Sequence, residues 1–188
     1  MPSAPEDRLR RLDVELTLHL ETHSLGAATS VAERAVDTAW HLERRREALR
    51  FVLRLGELCL RAGDDRRAFG YLQNAYRLAR EEAFEAFELA SLRALGCLDA
   101  LRFRADDGVD RVRRSVAHAT AAGDVAEALV ATLTLGHTLA ALNRFAEAAD
   151  AYREAHRRAL RVGRSRIAKV AERSVRAARR GESPDLEW

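Results

Sequence analysis

The chain has 188 residues, 47% of them hydrophobic, with three prolines, ten glycines and a formal charge of +3 from 32 basic and 29 acidic side chains. A chain of this length can bury most of the surface that it exposes when unfolded, and a composition dominated by Ala, Leu, Arg and Glu favours packed helices over strands. Near-balanced, mostly interspersed charge excludes strong nonspecific attraction to polyanions, and no window reaches the ~18 uninterrupted apolar residues of a membrane span.

In chain order, MPSAPEDRLRR is charged where a signal peptide is apolar, so a cytoplasmic location is expected. Ser3 and Glu6 form a capping-box start with Pro5 in the first turn. Leu9, Leu12, Leu16 and Leu20 then recur at helical spacing. His19 and His23 could share one metal ion, but no third ligand lies nearby and the order is not that of a metalloprotease, so no metal is assigned. Breakers follow at about twenty-residue intervals, near His23 to Gly26, Glu43, Gly63–Asp64, Glu82–Ala83, Ala105 to Gly108, Gly123–Asp124, Asn143 and Gly163. Gly63–Asp64 and Gly123–Asp124 carry the strongest punctuation, a glycine to end one helix and an aspartate to cap the next. Arg44, Arg45 and Arg46 stand among Glu43, Glu47 and Glu57, which marks a solvated helix face rather than a phosphate site. Cys59 and Cys97 each fall in an apolar helical run and read as small buried hydrophobes. Residues 165–180 form an amphipathic helix, with Ile167, Val170, Ala171 and Val175 on one face and Arg166, Lys169, Arg173, Arg176 and Arg179 elsewhere. Residues 181–188 are a loose tail.

A period of forty organises these elements. Leu135-Gly136 repeats at Leu95-Gly96 and Leu55-Gly56. Ala148 matches Ala68 and Ala28, with Gly108 between them. Tyr152 matches Val112, Leu72 and Ala32; Ala155 matches Ser115, Ala75 and Ala35; Ala159 matches Ala119, Ala79 and Ala39. Each forty-residue unit is therefore a helix hairpin, in which glycine on the first helix and small residues on the second allow close approach. One hairpin cannot cover its own apolar faces, so the units must stack in a row.

The stretch LGHTLAALNRFAEAADAYREA resembles a tetratricopeptide (TPR) repeat, and LGELCLRAGDDRRAFGYLQNA matches nearly as well. The unit around Leu95 is weaker, the first unit has Glu15-Leu16 in place of Leu-Gly, and the period exceeds the usual thirty-four, as in the extended units of bacterial regulators. The resemblance implies an all-α fold, an α-solenoid of four antiparallel helix hairpins in a right-handed superhelix with a C-terminal capping helix. The whole chain, 1–188, is one domain, with repeats at 8–43, 44–83, 84–123 and 124–163.

The same resemblance implies a noncatalytic scaffold that binds a partner protein or peptide in a concave groove lined by the first helices. Its expected exposed residues are Arg50, Leu53, Arg54, Glu57 and Arg61, then Ala90, Arg93 and Cys97, then Leu133 and His137. Arginines outnumber acids there, so the expected ligand is acidic or carries a terminal carboxylate. No strained nucleophile turn or glycine-rich phosphate loop occurs, so no enzymatic activity and no cofactor are expected. Neither nucleic acid nor membrane is an expected partner. Two alternatives stand beside the scaffold: a ligand-responsive regulatory domain of a bacterial signalling or transcription system, and a homo-oligomer that self-assembles through the apolar edge of an end unit.

Overall fold

The computed structural model describes residues 4–184. The capping box expected from Ser3 and the last four residues of the tail lie outside them. The fold is all-α and divides within α5 into two compact units, Met1–Ser91 and Leu92–Trp188. The first unit contains α1 (Ala4–Glu21), α2 (Leu25–His41), α3 (Arg45–Arg61), α4 (Asp65–Glu81) and the start of α5 (Glu85–Arg102). The second contains the rest of α5, then α6 (Ala105–Ala121), α7 (Val125–Ala141), α8 (Phe145–Arg161) and α9 (Ser165–Arg179). Helices pack on their neighbours in the chain, α1 on α2, α2 on α3 and α3 on α4 in one unit, α6 on α7, α7 on α8 and α8 on α9 in the other. This is the serial packing of a helical-repeat solenoid.

The twenty-residue rhythm is set by the turns. His23, Glu43, Gly63, Ala83, Gly123, Asn143 and Gly163 all have positive φ, between 54° and 76°. Each sits just past a helix end, in the left-handed conformation that closes a Schellman motif. At one of them the Phe84 amide donates to the Ala79 carbonyl (2.8 Å) and the Ala83 amide to the Arg80 carbonyl (3.2 Å). The next helix starts at once. Asp64 accepts from the Arg67 amide (3.1 Å) and Asp124 from the Glu127 amide (2.9 Å), the caps expected from their glycine-aspartate pairs. The break expected over Ala105 to Gly108 falls earlier, because Phe103 and Arg104 make that turn by donating to the Asp99 carbonyl. Gly108 is helical and buried instead. A Cβ there would lie 2.1 Å from the backbone nitrogen of Ala100, so α5 and α6 touch backbone to backbone.

The Leu-Gly column has a steric cause. A Cβ on Gly56 would stand 2.5 Å from Leu72, one on Gly96 2.8 Å from Val112, and one on Gly136 2.6 Å from the Tyr152 ring. Each glycine is the seat of the large side chain sixteen residues later. The first hairpin solves the same problem with the sizes exchanged: Leu16 takes the glycine position, Ala32 takes the large-residue position, and both lie in one buried cluster with Ala28, Ala35, Phe51 and Leu55. Its missing glycine is thus a volume-conserving variant of the same interlock.

Ion pairs tie second helices of consecutive hairpins together. Arg67 on α4 reaches Glu33 on α2 (2.6 Å), and Arg113 on α6 reaches Glu147 on α8 (2.7 Å). Both pairs join residues thirty-four apart at equivalent repeat positions, with the signs exchanged. The tail begins less loosely than expected: the Glu182 amide donates to the Ala177 carbonyl, and the Ser183 hydroxyl to the Ala140 carbonyl (3.3 Å).

Candidate functional site

Helical periodicity on α3 buries Ala48, Leu49, Phe51, Val52, Leu55, Gly56, Leu58 and Cys59, and leaves Arg50, Arg54 and Arg61 exposed along the opposite stripe. Arg50 pairs with Asp13 of α1 (3.2 Å), and its guanidinium lies 4.7 Å from the centroid of the Phe51 ring. Arg54 pairs with Glu57 one turn along (2.9 Å). These pairs are open to water, and pairs of that kind contribute little to stability, so a ligand anion could displace them at small cost. Leu53 departs from the sequence expectation. At 9% exposure it belongs to the core, because its place on the helix turns it inward beside Val52.

In the second unit the expected residues are drawn into internal contacts. Arg93 on α5 binds Glu127 on α7 (2.9 Å), with each side chain only 15% exposed. The Cys97 sulfur lies 3.4 Å from the Thr138 hydroxyl. Leu133 packs on two apolar clusters, one with Tyr152 and Val175 and one with Ala155 and Ala168. His137 Nδ1 stands 2.8 Å from the Tyr152 hydroxyl, and the rings meet edge to face at 5.1 Å. Burial lowers the His137 pKa to about 4 and raises that of Tyr152. The imidazole is therefore neutral at physiological pH and serves as a hydrogen-bonding prop for the aromatic ring seated on Gly136. What remains open on α7 is weakly polar: Val130 at 40% exposure, with Thr134 and Ala141 on the same side.

Of the other residues singled out in the sequence, His19 lies in the last turn of α1 and His23 in the turn after it. Arg45 pairs with Glu82, and Arg46 stacks over Phe84 and Phe87, its guanidinium carbon 6.0 Å from each ring centroid. Cys59 is buried, which pushes its thiol pKa up. No helix among the described residues is long and apolar enough to cross a membrane.

Two surface features carry no motif. Val14 and Leu18 on α1 are 66% and 55% exposed. The positions forty, eighty and one hundred and twenty residues after Leu18 hold Leu58, Leu98 and Thr138, all at most 3% exposed. The second feature is the outer face of α9, which displays Arg166, Lys169, Arg173 and Arg176 to solvent. Only the repeat register identifies the first, whereas the cations of the second already stand off the apolar face in the sequence pattern of residues 165–180.

In comparisons with known proteins, no protein-family model matches the chain and no curated protein matches it.

Proposed function

We propose that the protein is a TPR-like, noncatalytic interaction module that receives a partner peptide on the exposed face of α3, the first helix of its second hairpin. The observation that carries this reading is the stripe on α3, where Arg50, Arg54 and Arg61 stand clear of a face otherwise consumed by packing. Forked guanidinium groups one and two turns apart suit carboxylates on an extended or helical peptide. The strongly perturbed groups, His137 and Tyr152, are bonded to each other inside a hairpin, which supports a packing role for them over a chemical one. The test is fluorescence anisotropy with a labelled twelve-residue Asp/Glu-rich peptide bearing a free C-terminus. Binding should weaken at least tenfold in an Arg54→Glu/Arg61→Glu variant and stay unchanged in Arg77→Glu on α4. Equal binding by both variants overturns the reading.

A second reading, self-association through α1, is favoured by Val14 and Leu18. Leu18 occupies a position that is buried in every later repeat, and here its side chain faces solvent. Sedimentation velocity from about 1 to 100 μM should then show a concentration-dependent rise in mass that Leu18→Glu removes. A monomer throughout that range eliminates it.

A further inference from the structure

The charge of the chain is balanced in total but not in space. Residues 153–182 hold eleven basic side chains against three acidic ones, while the whole chain is only +3. The remainder is therefore net acidic. On α9 and at its C-terminal end, Arg166, Lys169, Arg173, Arg176 and Arg180 recur at steps of three and four residues and so share one face of the helix. They span fourteen residues, or ~21 Å at the α-helical rise. Arg161 and Arg164, at the end of α8 and in the turn before α9, are exposed as well.

Elsewhere on the molecule arginines are largely engaged: Arg67 with Glu33, Arg93 with Glu127, Arg113 with Glu147, Arg144 with both Asp106 and Glu147. On α9 the pairing thins. Arg176 holds Glu172 and Arg180 holds Glu182, but Arg161, Arg164, Arg166, Lys169, Arg173 and Arg179 have no ion-pair partner among the described residues, and all six are exposed. The helix that carries them is firmly held. Ala168 and Ala171 pack on Ala155 and Ala159 of α8, Val175 and Ala178 pack in the cluster around Tyr152, and His156 Nδ1–H donates to the Ala168 carbonyl (2.9 Å).

We propose that this basic stripe of α9, in which Arg166, Lys169 and Arg173 are unpaired among the described residues, is a docking surface for the phosphate backbone of a double-stranded nucleic acid. The chemistry separates it from other polyanions. A membrane-surface helix inserts its apolar face, but the apolar face of α9 is spent on α8. A protein interface is anchored by apolar and aromatic side chains at its centre, with charge depleted there; among the described residues the α9 stripe itself has neither an aromatic nor an apolar anchor, the exposed Leu160 and Val162 lying at the end of α8. Single strands are gripped by stacking bases on aromatic rings, which are equally lacking on this face among the described residues. What remains is a rigid row of cations at about one per helical turn. Such a row neutralises phosphates without reading bases, and arginine is the side chain best fitted to it. The sequence expectation of no nucleic-acid partner rested on the chain-wide balance of charge, which the folded helix does not preserve on this face.

The test uses the full chain and fluorescence anisotropy with labelled 20-base-pair DNA and RNA duplexes, the matching single strand, poly-glutamate, and vesicles containing phosphatidylserine. With about five phosphate contacts, duplex affinity should fall about 500-fold between 50 and 200 mM salt, following a log–log slope near −4.5. Replacing Lys169 and Arg173 together by Gln should flatten that slope by about two, with the far-UV circular dichroism unchanged. Arg77→Gln/Arg114→Gln, on α4 and α6, should leave it as it was. Whichever duplex binds more tightly identifies DNA or RNA as the source of the phosphates. Failure to bind either duplex at 50 mM salt overturns the proposal, as does duplex binding indifferent to the α9 substitutions. Poly-glutamate, the single strand or the vesicles binding as tightly as the duplexes would overturn it as well.

Discussion

Exchanging Gly56 and Leu72 for the pair found in the first hairpin isolates the interlock. Leu72 is fully buried, and a Cβ on Gly56 would stand 2.5 Å from its Cδ2 and 2.6 Å from its Cγ. The obstruction is therefore not just the swinging end of a side chain. Gly56→Leu alone overfills the α3–α4 seam, a change that costs about 1–3 kcal/mol or more. Leu72→Ala alone opens a cavity, at about 2–5 kcal/mol. The double variant recreates the arrangement of Leu16 and Ala32, keeps the seam volume close to native, and should lose less than about 1.5 kcal/mol. The coupling between the two sites should then exceed ~1.5 kcal/mol, well outside the scatter of independent positions. Gly70→Ala is the control: Gly70 is helical and exposed with nothing within 4 Å of a Cβ, so alanine should add about 0.8–1 kcal/mol from helix propensity. Urea titrations followed by circular dichroism give the four free energies at a common m-value. Additive single effects, or a double variant no better than the worse single, would refute the account of why glycine recurs every forty residues.

Four further outcomes follow from particular residues. Ala83 is held at φ 54°, so Ala83→Gly should stabilise the protein by about 1 kcal/mol, raising Tm by ~2–4 °C, while Gly63→Ala, at φ 76°, should lower it. The Ser91 hydroxyl is buried and finds no hydrogen-bond partner among the described residues, so Ser91→Ala should raise the urea midpoint by the equivalent of roughly 1 kcal/mol; a lowered midpoint would contradict that geometry. The His137 pKa falls from 6.5 to about 4 on folding, so the unfolded chain takes up that proton first. Stability from this group is complete above pH 6.5 and is lost as pH falls toward 4, by about 3 kcal/mol; His137→Gln should flatten that part of the profile. Gly108→Ala should be the most damaging of the glycine-to-alanine changes, because the obstacle 2.1 Å from the new Cβ is the backbone of Ala100, which cannot rotate away.

The hairpin rhythm was legible in the sequence because most of its punctuation is chemical. Gly63–Asp64 and Gly123–Asp124 announce a helix end and a cap, and Asn143 tolerates the left-handed region. The turn at Phe103 and Arg104 carries neither signal, and Gly108 drew the expected break toward itself although its role is close helix contact. The seat between Gly56 and Leu72 could be inferred from column sizes. The inverse solution at Leu16 and Ala32 could not be recognised as equivalent until both residues were seen in one core. The candidate site was less legible. Exposure of Leu53 was carried over from a family pattern, whereas the degree to which a first-helix position is covered depends on neighbouring side chains that no motif specifies. For the same reason the commitment of Arg93 to Glu127, thirty-four residues away, was invisible. The cations of α9 were legible in the pattern of residues 165–180, but which of them find a carboxylate, as Arg176 finds Glu172, was not.

Isotope-edited nuclear Overhauser spectra of the labelled full chain would test the central claim, that the forty-residue period is a packing register with each glycine seated under the side chain sixteen residues on. Cross-peaks from the Gly56 Hα protons to the Leu72 methyls, from Gly96 to Val112 methyls and from Gly136 to the Tyr152 ring are the predicted result. Glycine protons that show no such contacts, or that meet other side chains instead, would contradict it.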